Sequence, residues 1–432
     1  VGCVPSKTLL RCASAVVQVR EARALGVKVP DEVEVDFAKV MEHVRAVRAK
    51  LAPRDSAHRF QELGVDVFLG EARFTGEDTV RVGDQTLRFS RACVATGSRP
   101  LAPPIFGLAA AGFLTNQTVF SLTELPRRLV VLGGGSSGCE LAQAFARLGA
   151  EVTLLEVGPR LLPREEPEAS AVVEQALRRD GVVVRTGARV GRVERRDGEK
   201  VLTFSDEGQP ALHADEVLVC AGRKPNVEGL GLEAAGIDYD ERDGIRVDDH
   251  LRTTNRDVYA AGDCCTLHRF THVADAMARI VVRNSLLFGR ARASGLAIPW
   301  VTFTDPEVAH VGLTDREARA QGLLVNTVRV DLADLDRPII DGDPEGFLAV
   351  HVERGTDRVL GATFVGRGAG EALGELVVAA QGDVGLSRLG RLIHAYPTRS
   401  EAVRKAADVL LRARAAHPLV RTLLRGFMAL RR

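Results

Sequence analysis

The clearest prediction of the fold comes from one stretch, Leu129-Val130-Val131-Leu132-Gly133-Gly134-Gly135-Ser136-Ser137-Gly138. Its four leading apolar residues predict a buried parallel strand, and the glycines that follow fit the spacing G-x-G-x-x-G. Helical apolar spacing then runs from Glu140 to Leu148. In this order Gly133 makes the tight turn, Gly135 lets the backbone approach a pyrophosphate, and Gly138 allows close helix packing. The stretch therefore predicts a Rossmann-like dinucleotide-binding unit with these three glycines at the cofactor.

Glu156 indicates which dinucleotide binds. It ends a second predicted strand, Val152 to Leu155, roughly twenty residues beyond the glycines, as the fold requires. A carboxylate at this point accepts hydrogen bonds from a ribose 2′-OH and repels a 2′-phosphate. We therefore expect NAD(H) rather than NADP(H), although Arg160, four residues further on, weakens that preference.

The composition describes a globular chain with room for two or three domains. It has 432 residues, 45% hydrophobic and 27% charged, and its net charge of +1 points to neither nucleic acid nor a membrane as a partner. Apolar runs such as Leu129 to Leu132 are far shorter than a membrane span. The seven scattered cysteines do not form a disulfide framework, so we expect a cytoplasmic protein. No metal site is expected at Cys264-Cys265, because no third ligand is spaced nearby.

Two segments repeat the same pattern. Arg91 to Pro100 and Glu216 to Pro225 each contain a short apolar strand, then a glycine turn, a basic residue and proline. Two copies of one closing segment suggest two related domains. A glycine fingerprint that would open such a domain occurs once, at residues 133–138. We therefore expect that the first domain lacks its opening βαβ unit in this sequence, which makes the chain N-terminally truncated.

The first heptad, Val1-Gly2-Cys3-Val4-Pro5-Ser6-Lys7, contains a candidate nucleophile. It places a thiol at the predicted start of a helix, with a lysine one turn later. A positive helix end and a nearby ammonium group both favour thiolate over thiol. Cys3 is therefore the residue that we expect to react.

These segments together resemble the class I pyridine nucleotide-disulfide oxidoreductases, an FAD-dependent family. The heptad resembles the second half of that family's redox-active segment, and Asp257 to Asp263 resembles its second FAD motif. Phe303 to Ala309 is similar to the start of its C-terminal interface domain. The resemblance implies an α/β fold with two Rossmann-like dinucleotide-binding domains, for FAD and NAD, and a C-terminal α+β dimerisation domain. It implies these boundaries: an FAD-binding domain at 1–122 without its first βαβ unit, an NAD-binding domain at 123–240, an FAD-domain return segment at 241–298, and a dimerisation domain at 299–432.

The resemblance also assigns roles to residues. Electrons would pass from NADH through FAD to Cys3 and a second cysteine outside this chain, and on to an acceptor. Lys7 would lie near the flavin and pair with Glu140, as a buried lysine needs a counter-charge. Tyr396 and Glu401 would belong to a segment that each subunit of a homodimer lends to the other. The cofactor contacts so implied are Lys7, Ala72, Thr96, Gly97, Ser98, Gly222, Asp263 and Thr271, and His272 lies beside the last of these.

The sequence departs from the family at His394-Ala395-Tyr396-Pro397-Thr398-Arg399-Ser400-Glu401. The family has histidine directly before the proline and glutamate five positions after that histidine. Here Glu401 is in register, but Tyr396 stands where the base belongs. A phenol, with a pKa near 10, is a poor proton acceptor at neutral pH. We interpret His394 as a core or surface histidine, because an extended segment would turn it to the opposite side.

Three functional hypotheses follow. The first is an oxidoreductase of the mercuric-reductase-like branch, which the runs Gly149 to Glu156 and Leu161 to Arg164 resemble, with a disulfide or a thiophilic metal ion as acceptor. Mercuric reductases carry a vicinal cysteine pair near the C-terminus, whereas this sequence ends Ala429-Leu430-Arg431-Arg432, so the sequence leaves the acceptor open. The second is dihydrolipoyl dehydrogenase, which Tyr396 disfavours. The third is a non-catalytic nucleotide-binding fragment that binds NAD(H) but FAD poorly.

Overall fold

The computed structural model describes residues 2–206, 208–418, 420–422, 426 and 428. The terminal residues Ala429-Leu430-Arg431-Arg432, on which the argument about mercury depends, lie outside the described residues. The described residues form two compact units. The first contains the residues up to 157 together with 188–296, and the second contains 158–187 together with the residues from 297 onwards.

The first unit contains parallel strand pairs and short antiparallel sheets, and the second unit contains one antiparallel sheet of five strands. The α-helices are α1 (Cys3–Glu21), α2 (Phe37–Leu51), α3 (Ala57–Glu62), α4 (Leu108–Ala111), α5 (Ser136–Arg147), α6 (Pro167–Arg179), α7 (Thr271–Leu286), α8 (Asp315–Ala320), α9 (Asp336–Asp341), α10 (Ala369–Ala372), α11 (Gly374–Gln381), α12 (Leu386–Leu389) and α13 (Glu401–Ala415). The strands are β1 (Ala72–Gly76), β2 (Thr79–Val82), β3 (Gln85–Arg88), β4 (Ala92–Val94), β5 (Ser98–Pro100), β6 (Arg128–Leu132), β7 (Glu151–Leu155), β8 (Val183–Arg185), β9 (Val190–Arg196), β10 (Glu199–Phe204), β11 (Leu212–Ala214), β12 (Glu216–Val219), β13 (Arg223–Pro225), β14 (Tyr239–Asp240), β15 (Gly244–Ile245), β16 (Val258–Ala260), β17 (Pro299–Thr302), β18 (Glu307–Gly312), β19 (Val325–Asp331), β20 (Phe347–Glu353) and β21 (Val359–Gly366).

The predicted glycine stretch forms a βαβ unit in the first compact unit. Strand β6 pairs in parallel with β12 on one side and with β7 on the other, so that Val130 lies between Val217 and Thr153. The apolar residues of these strands are buried, which is typical of parallel strands covered on both faces. Helix α5 follows β6 directly, and Gly149, with φ +112°, turns the chain into β7. The strand, helix and second strand predicted from the sequence are therefore confirmed.

A second parallel pair carries the other copy of the repeat. Strand β4 pairs with β16, with Cys93 opposite Tyr259. The two repeated turns also meet: β5 and β13 pair antiparallel, so that Ser98 lies opposite Pro225. The two copies of the closing segment are thus joined to each other, and they bring the ends of β4 and β12 into one region of the first unit.

The second unit is built on an antiparallel sheet with strand order β17-β18-β21-β20-β19. One face forms a core with the C-terminal helices, where residues such as Val350, Phe364, Ala406 and Leu410 are almost fully buried. Helix α13 contributes its apolar stripe to that core. The predicted C-terminal α+β region is therefore present, and the α/β fold class is confirmed.

Segment 158–187, which contains α6, belongs to the second unit. The sequence prediction places this segment in the NAD-binding domain. The segment follows the second predicted strand, Val152 to Leu155, and precedes the second copy of the repeat, Glu216 to Pro225. The domain boundaries stay a prediction. Within the second unit, Glu165 and Glu166 of this segment contact Trp300 and His351 of the C-terminal sheet.

Candidate active site

Cys3 lies at the first position of α1, as expected for a thiol that uses a helix N-terminus. Its side chain is exposed, and its Sγ lies 3.4 Å from the Oγ1 of Thr271, the first residue of α7. Two helix N-termini therefore meet at one thiol, although 268 residues separate them in sequence. The positive ends of both helices stabilise negative charge at this position.

Lys7 and Glu140 form the ion pair that the sequence predicts. The Nζ of Lys7 donates to Oε2 of Glu140 over 2.6 Å, and the Glu140 side chain is 6% exposed. Glu140 lies in α5, directly after the glycine loop, whereas Lys7 lies one turn beyond Cys3 in α1. A buried carboxylate requires such a counter-charge. The pair consequently ties the thiol-bearing helix to the glycine-loop helix.

The glycine loop has the tight geometry that its sequence requires. Gly133 has φ +109°, and a Cβ on it would lie 2.6 Å from the carbonyl oxygen of Cys220. A Cβ on Gly138 would lie 1.9 Å from the carbonyl oxygen of Gly133. Around Gly135, by contrast, no heavy atom lies within 4 Å of the equivalent position, so the backbone there is open to a ligand. The loop can therefore present its amides to a pyrophosphate at the N-terminus of α5.

Glu156 lies next to this loop. Its Oε2 accepts a hydrogen bond of 2.6 Å from the backbone N–H of Gly134. The carboxylate is half-buried and directly follows β7. The predicted partner for a ribose hydroxyl is thus placed beside the predicted pyrophosphate loop.

The ends of β4 and β16 form a second cluster of predicted cofactor residues. Ser98 Oγ donates to Oδ2 of Asp263 over 2.6 Å, and Arg223 Nε donates to Ser98 Oγ over 2.7 Å. Gly97 has φ +70°, and no heavy atom lies within 4 Å of its hypothetical Cβ. Thr96 Oγ1 donates to a backbone carbonyl across the paired turns. Ligands of open α/β sheets bind at the carboxyl ends of parallel strands, which is where these residues lie.

Arg223 is a site residue that the sequence prediction missed. The prediction named its neighbour Gly222, which has φ +116° and starts the same turn. The guanidinium of Arg223 lies 3.5 Å from Asp263 and also donates to the backbone carbonyl of Ser98. The repeat gave no signal for it, because Arg223 occupies the position of Ser98 in the first copy, and the basic residue common to both copies is Arg99 or Lys224.

All of the predicted cofactor contacts stay predictions, and Ala72, like His272 beside the predicted contact Thr271, lies outside the clusters described above. Ala72 is an exposed residue of a separate antiparallel sheet, where it pairs with Val82. His272 is exposed next to Thr271, and its ring stacks on Phe270 with the centroids 5.4 Å apart.

The C-terminal segment presents a phenol. Tyr396 is 70% exposed, and its hydroxyl donates to Oδ2 of Asp336 over 2.6 Å. This carboxylate raises the pKa of Tyr396 above its ordinary value, so the phenol stays protonated at neutral pH. Glu401, the first residue of α13, accepts instead from Arg404 over 2.7 Å. Tyr396 can therefore donate a proton or a hydrogen bond, but it is a poor base.

His394 is engaged by its own unit. Its side chain is 7% exposed, with Nε2 3.0 Å from Glu375 and Nδ1 3.2 Å from the carbonyl oxygen of Leu392. Both ring nitrogens thus have partners in this conformation. No sequence signal identified Glu375 as that partner, because it lies 19 residues earlier, on α11, whereas His394 lies between α12 and α13.

The described part of the chain contains neither a membrane-spanning helix nor a cluster of metal ligands. No helix there is long and apolar enough to cross a bilayer. In the same residues no three His, Cys, Asp or Glu side chains come together as metal ligands would.

Comparisons with known proteins cover nearly the whole chain. The family profile described as pyridine nucleotide-disulphide oxidoreductase matches residues 1–278, and the profile of the corresponding dimerisation domain matches residues 298–407. A mercuric reductase of Streptomyces lividans is 35% identical over 94% of this chain and 87% of its own length. A dihydrolipoyl dehydrogenase of Thermus scotoductus is also 35% identical, over 95% of this chain and 88% of its own length.

Solved structures give the same result. LpdA from Mycobacterium tuberculosis superimposes with a TM-score of 0.85 at 27% identity and covers 94% of this chain and 90% of its own. The HOCl-induced flavoprotein disulfide reductase RclA from Escherichia coli reaches a TM-score of 0.84 at 27% identity, over 95% of this chain and 90% of its own.

Proposed function

Because this chain belongs to the pyridine nucleotide-disulphide oxidoreductase family, an FAD-dependent family, we propose that it passes electrons from NADH through FAD to a redox-active disulfide formed by Cys3 and a second cysteine, and from the resulting thiols on to a disulfide or a thiophilic metal ion. One observation carries this proposal. An exposed thiol at the start of α1 lies 3.4 Å from the start of α7 and one turn from Lys7, which pairs with the buried Glu140. A thiol so placed is open to a substrate and lies at the N-termini of two helices.

The residues that would hold FAD fit its flavin and ribityl side. Asp263, Ser98 and the open backbone at Gly97 lie at the carboxyl ends of β4 and β16, and Lys7 and Thr271 lie at the starts of α1 and α7. FAD, when bound, accepts a hydride from NADH and supplies two electrons to sulfur. Lys7 would place a positive charge at the isoalloxazine, with Glu140 holding its ammonium in position. Thr271 Oγ1 would orient the sulfur of Cys3.

The nucleotide substrate that we propose is NADH. The glycine loop would hold its pyrophosphate, and Glu156 would accept hydrogen bonds from its ribose hydroxyls. A 2′-phosphate would bring negative charge against the same carboxylate.

Glu156→Ala tests this choice of nucleotide. We expect the ratio of NADH to NADPH affinity to fall roughly tenfold or more, because the variant loses charge-assisted hydrogen bonds to the ribose and the repulsion of a 2′-phosphate. Fluorescence titration of the full chain with each nucleotide measures the ratio. Glu151→Ala, at the exposed start of the same strand β7, is the matched control and should leave the ratio unchanged. An unchanged ratio in Glu156→Ala would reject Glu156 as the discriminating residue.

For the acceptor, we propose a substrate that needs no strong base on the enzyme. A disulfide acceptor takes two electrons and two protons and yields two thiols, whereas Hg²⁺ takes two electrons and no protons. The protonated phenol of Tyr396 can supply a proton but cannot readily accept one, so it disfavours dithiol oxidation and is compatible with either acceptor, and the mercuric reductase relative favours the metal ion. NADH consumption by the full chain with added FAD, measured with an aromatic disulfide and with a mercuric dithiolate, tests the proposal. Activity with neither acceptor would contradict it.

Tyr396→His tests the second hypothesis, dihydrolipoyl dehydrogenase. Imidazole has a pKa near 6.5 and suits a dithiol substrate, so we expect dihydrolipoamide-dependent NAD⁺ reduction to rise by roughly 10²-fold. The carboxylate of Asp336, which accepts from Tyr396, would be available to orient the new ring. Tyr396→Phe serves as control and should show no gain. If Tyr396→His stays at background, the lipoamide hypothesis is wrong.

We also propose that the protein acts as a homodimer through residues 299–432. The segment between α12 and α13 exposes Leu392, Ile393 and Tyr396, with Ile393 99% exposed. Exposed apolar side chains grouped on one segment favour a protein interface, and the dimerisation profile covers the same region.

All seven cysteines are free thiols, which supports a reducing, cytoplasmic location.

The third hypothesis also has an observation in its favour. In the described residues β4 and β16 form a sheet of two strands, whereas β12, the counterpart of β4 in the repeat, pairs with the glycine-loop strand β6. A glycine-loop strand beside β4 would supply the pyrophosphate site for FAD. We therefore expect these 432 residues by themselves to bind NAD(H) and to hold FAD weakly.

A further inference from the structure

One face of the C-terminal sheet is polar although it is buried. The face opposite the apolar core carries a row of polar side chains on adjacent strands: Trp300, His310, Thr363, His351 and Thr327. His310 and Thr363 are 0% exposed and His351 is 2% exposed. Segment 158–187, in the same compact unit, supplies Glu165 and Glu166 to these strands.

Glu165 is the central group of this interface. Its Oε1 accepts a hydrogen bond of 2.7 Å from Nε1 of Trp300, and the residue is 5% exposed. Its Oε2 is buried without a hydrogen-bond partner in the described residues. Burial raises the pKa of Glu165 to about 7, against the opposing effects of the Trp300 hydrogen bond and of Arg164 and Arg160 on its own segment. An ionised Glu165 is therefore poorly accommodated here.

The layer beneath Trp300 stays neutral while Glu165 titrates. The Trp300 ring stacks on His310 with the centroids 4.3 Å apart. His310 Nε2 donates to the carbonyl oxygen of Gly312, and its Nδ1 accepts from Thr363 Oγ1 at 2.8 Å. Burial lowers the pKa of His310 to about 4. His310 therefore provides no positive charge for an ionised Glu165 near neutral pH.

Glu166 adds a negative charge on the other side. It accepts a hydrogen bond from the backbone N–H of Asp315 on α8 at 3.1 Å, and its Oε1 lies 3.5 Å from Nε2 of His351 on β20. His351 lowers the pKa of Glu166, which is consequently ionised at neutral pH. Its charge opposes a second ionisation at Glu165.

We propose that Glu165 and Trp300 form a pH-sensitive latch, which holds segment 158–166 on the C-terminal sheet while Glu165 is protonated and releases it when Glu165 ionises. In the closed state the pKa is raised from 4.5 to about 7, so closing binds a proton. The latch is strongest below pH 4.5 and weakens as the pH rises through 7. Above that pH its closing equilibrium is smaller by roughly 10²-fold. The latch is independent of the proposed redox activity.

Trp300 reports on the latch directly, because it is the only tryptophan in the chain. Between about pH 4.5 and 7.5 we expect its emission to shift to longer wavelength, and its quenching by acrylamide to increase, with a midpoint between the open-state pKa of 4.5 and the closed-state pKa of about 7. Glu165→Gln keeps an acceptor oxygen for Nε1 but cannot ionise, so its emission should be constant over this range. Glu168→Gln is the matched control: this exposed glutamate in the first turn of α6 pairs with Arg329, and the wild-type midpoint should persist.

A second readout uses the arginines beside Glu165. Trypsin should cleave after Arg160 and Arg164 faster in the wild type than in Glu165→Gln at alkaline pH, and equally at acidic pH. Comparing the two proteins at each pH cancels the pH dependence of the protease. A flat wild-type emission profile, or a midpoint that persists in Glu165→Gln, would overturn the proposal. So would a midpoint that disappears in His351→Gln while the wild type and Glu165→Gln behave alike.

Discussion

Cys3→Ser is expected to abolish NADH-dependent reduction of a disulfide or of a mercuric dithiolate by this chain. The serine hydroxyl matches the thiol in size and keeps a contact with Thr271 Oγ1, so the helix starts of α1 and α7 should be undisturbed. It is far less acidic than a thiol and cannot cycle between reduced and oxidised forms. We expect a fall of roughly 10³-fold or more. The measurement is initial-rate NADH consumption with added FAD.

Two controls separate this effect from misfolding. Cys12→Ser changes the second cysteine of the same helix, which is partly buried, and should keep the wild-type rate. Electron transfer from NADH to a small quinone bypasses the thiol and should survive in Cys3→Ser. Wild-type disulfide reduction by Cys3→Ser would remove Cys3 from the mechanism.

The second large effect is expected from Gly138→Ala in the glycine loop. The new Cβ would lie 1.9 Å from the carbonyl oxygen of Gly133, a backbone atom that cannot move aside without displacing the loop. Such overpacking costs about 1–3 kcal/mol and separates α5 from β6. We therefore expect NADH affinity to fall roughly tenfold or more and the melting temperature of the protein to drop.

Gly135→Ala is the informative comparison for that variant. Its Cβ would meet no heavy atom within 4 Å, and its φ of −74° suits alanine. We expect the melting temperature to stay at the wild-type value while NADH binds less tightly, because the methyl group occupies the approach of the pyrophosphate. Wild-type NADH affinity in Gly138→Ala, measured by fluorescence titration, would show that the dinucleotide binds elsewhere.

Local patterns predicted the parts of the site that lie close together in sequence. The run from Leu129 to Gly138 specifies strand, turn and helix start by its own apolar and glycine spacing, and the structure has all three. The pair Lys7–Glu140 spans 133 residues and came from the family resemblance, since no spacing rule connects the two. The repeated turns suggested related domains, but not that β5 and β13 would pair with each other.

Contacts set by packing could not be predicted. Helix α6 has an ordinary amphipathic pattern. This pattern indicates that one face is buried, but it does not indicate which sheet covers that face. Its association with the C-terminal sheet, and with it the burial of Glu165 against Trp300, is a property of tertiary structure. The partner of His394 could not be predicted either, because Glu375 lies on α11 and His394 in the segment between α12 and α13.

An anaerobic titration with NADH of the full chain, saturated with added FAD, tests most directly whether Cys3 receives the electrons of NADH. We predict that NADH bleaches the flavin absorbance and produces a long-wavelength band from the Cys3 thiolate against the flavin, and that this band is missing in Cys3→Ser. A flavin spectrum that NADH does not change, or a band that persists in Cys3→Ser, would contradict the claim that Cys3 receives the electrons of NADH.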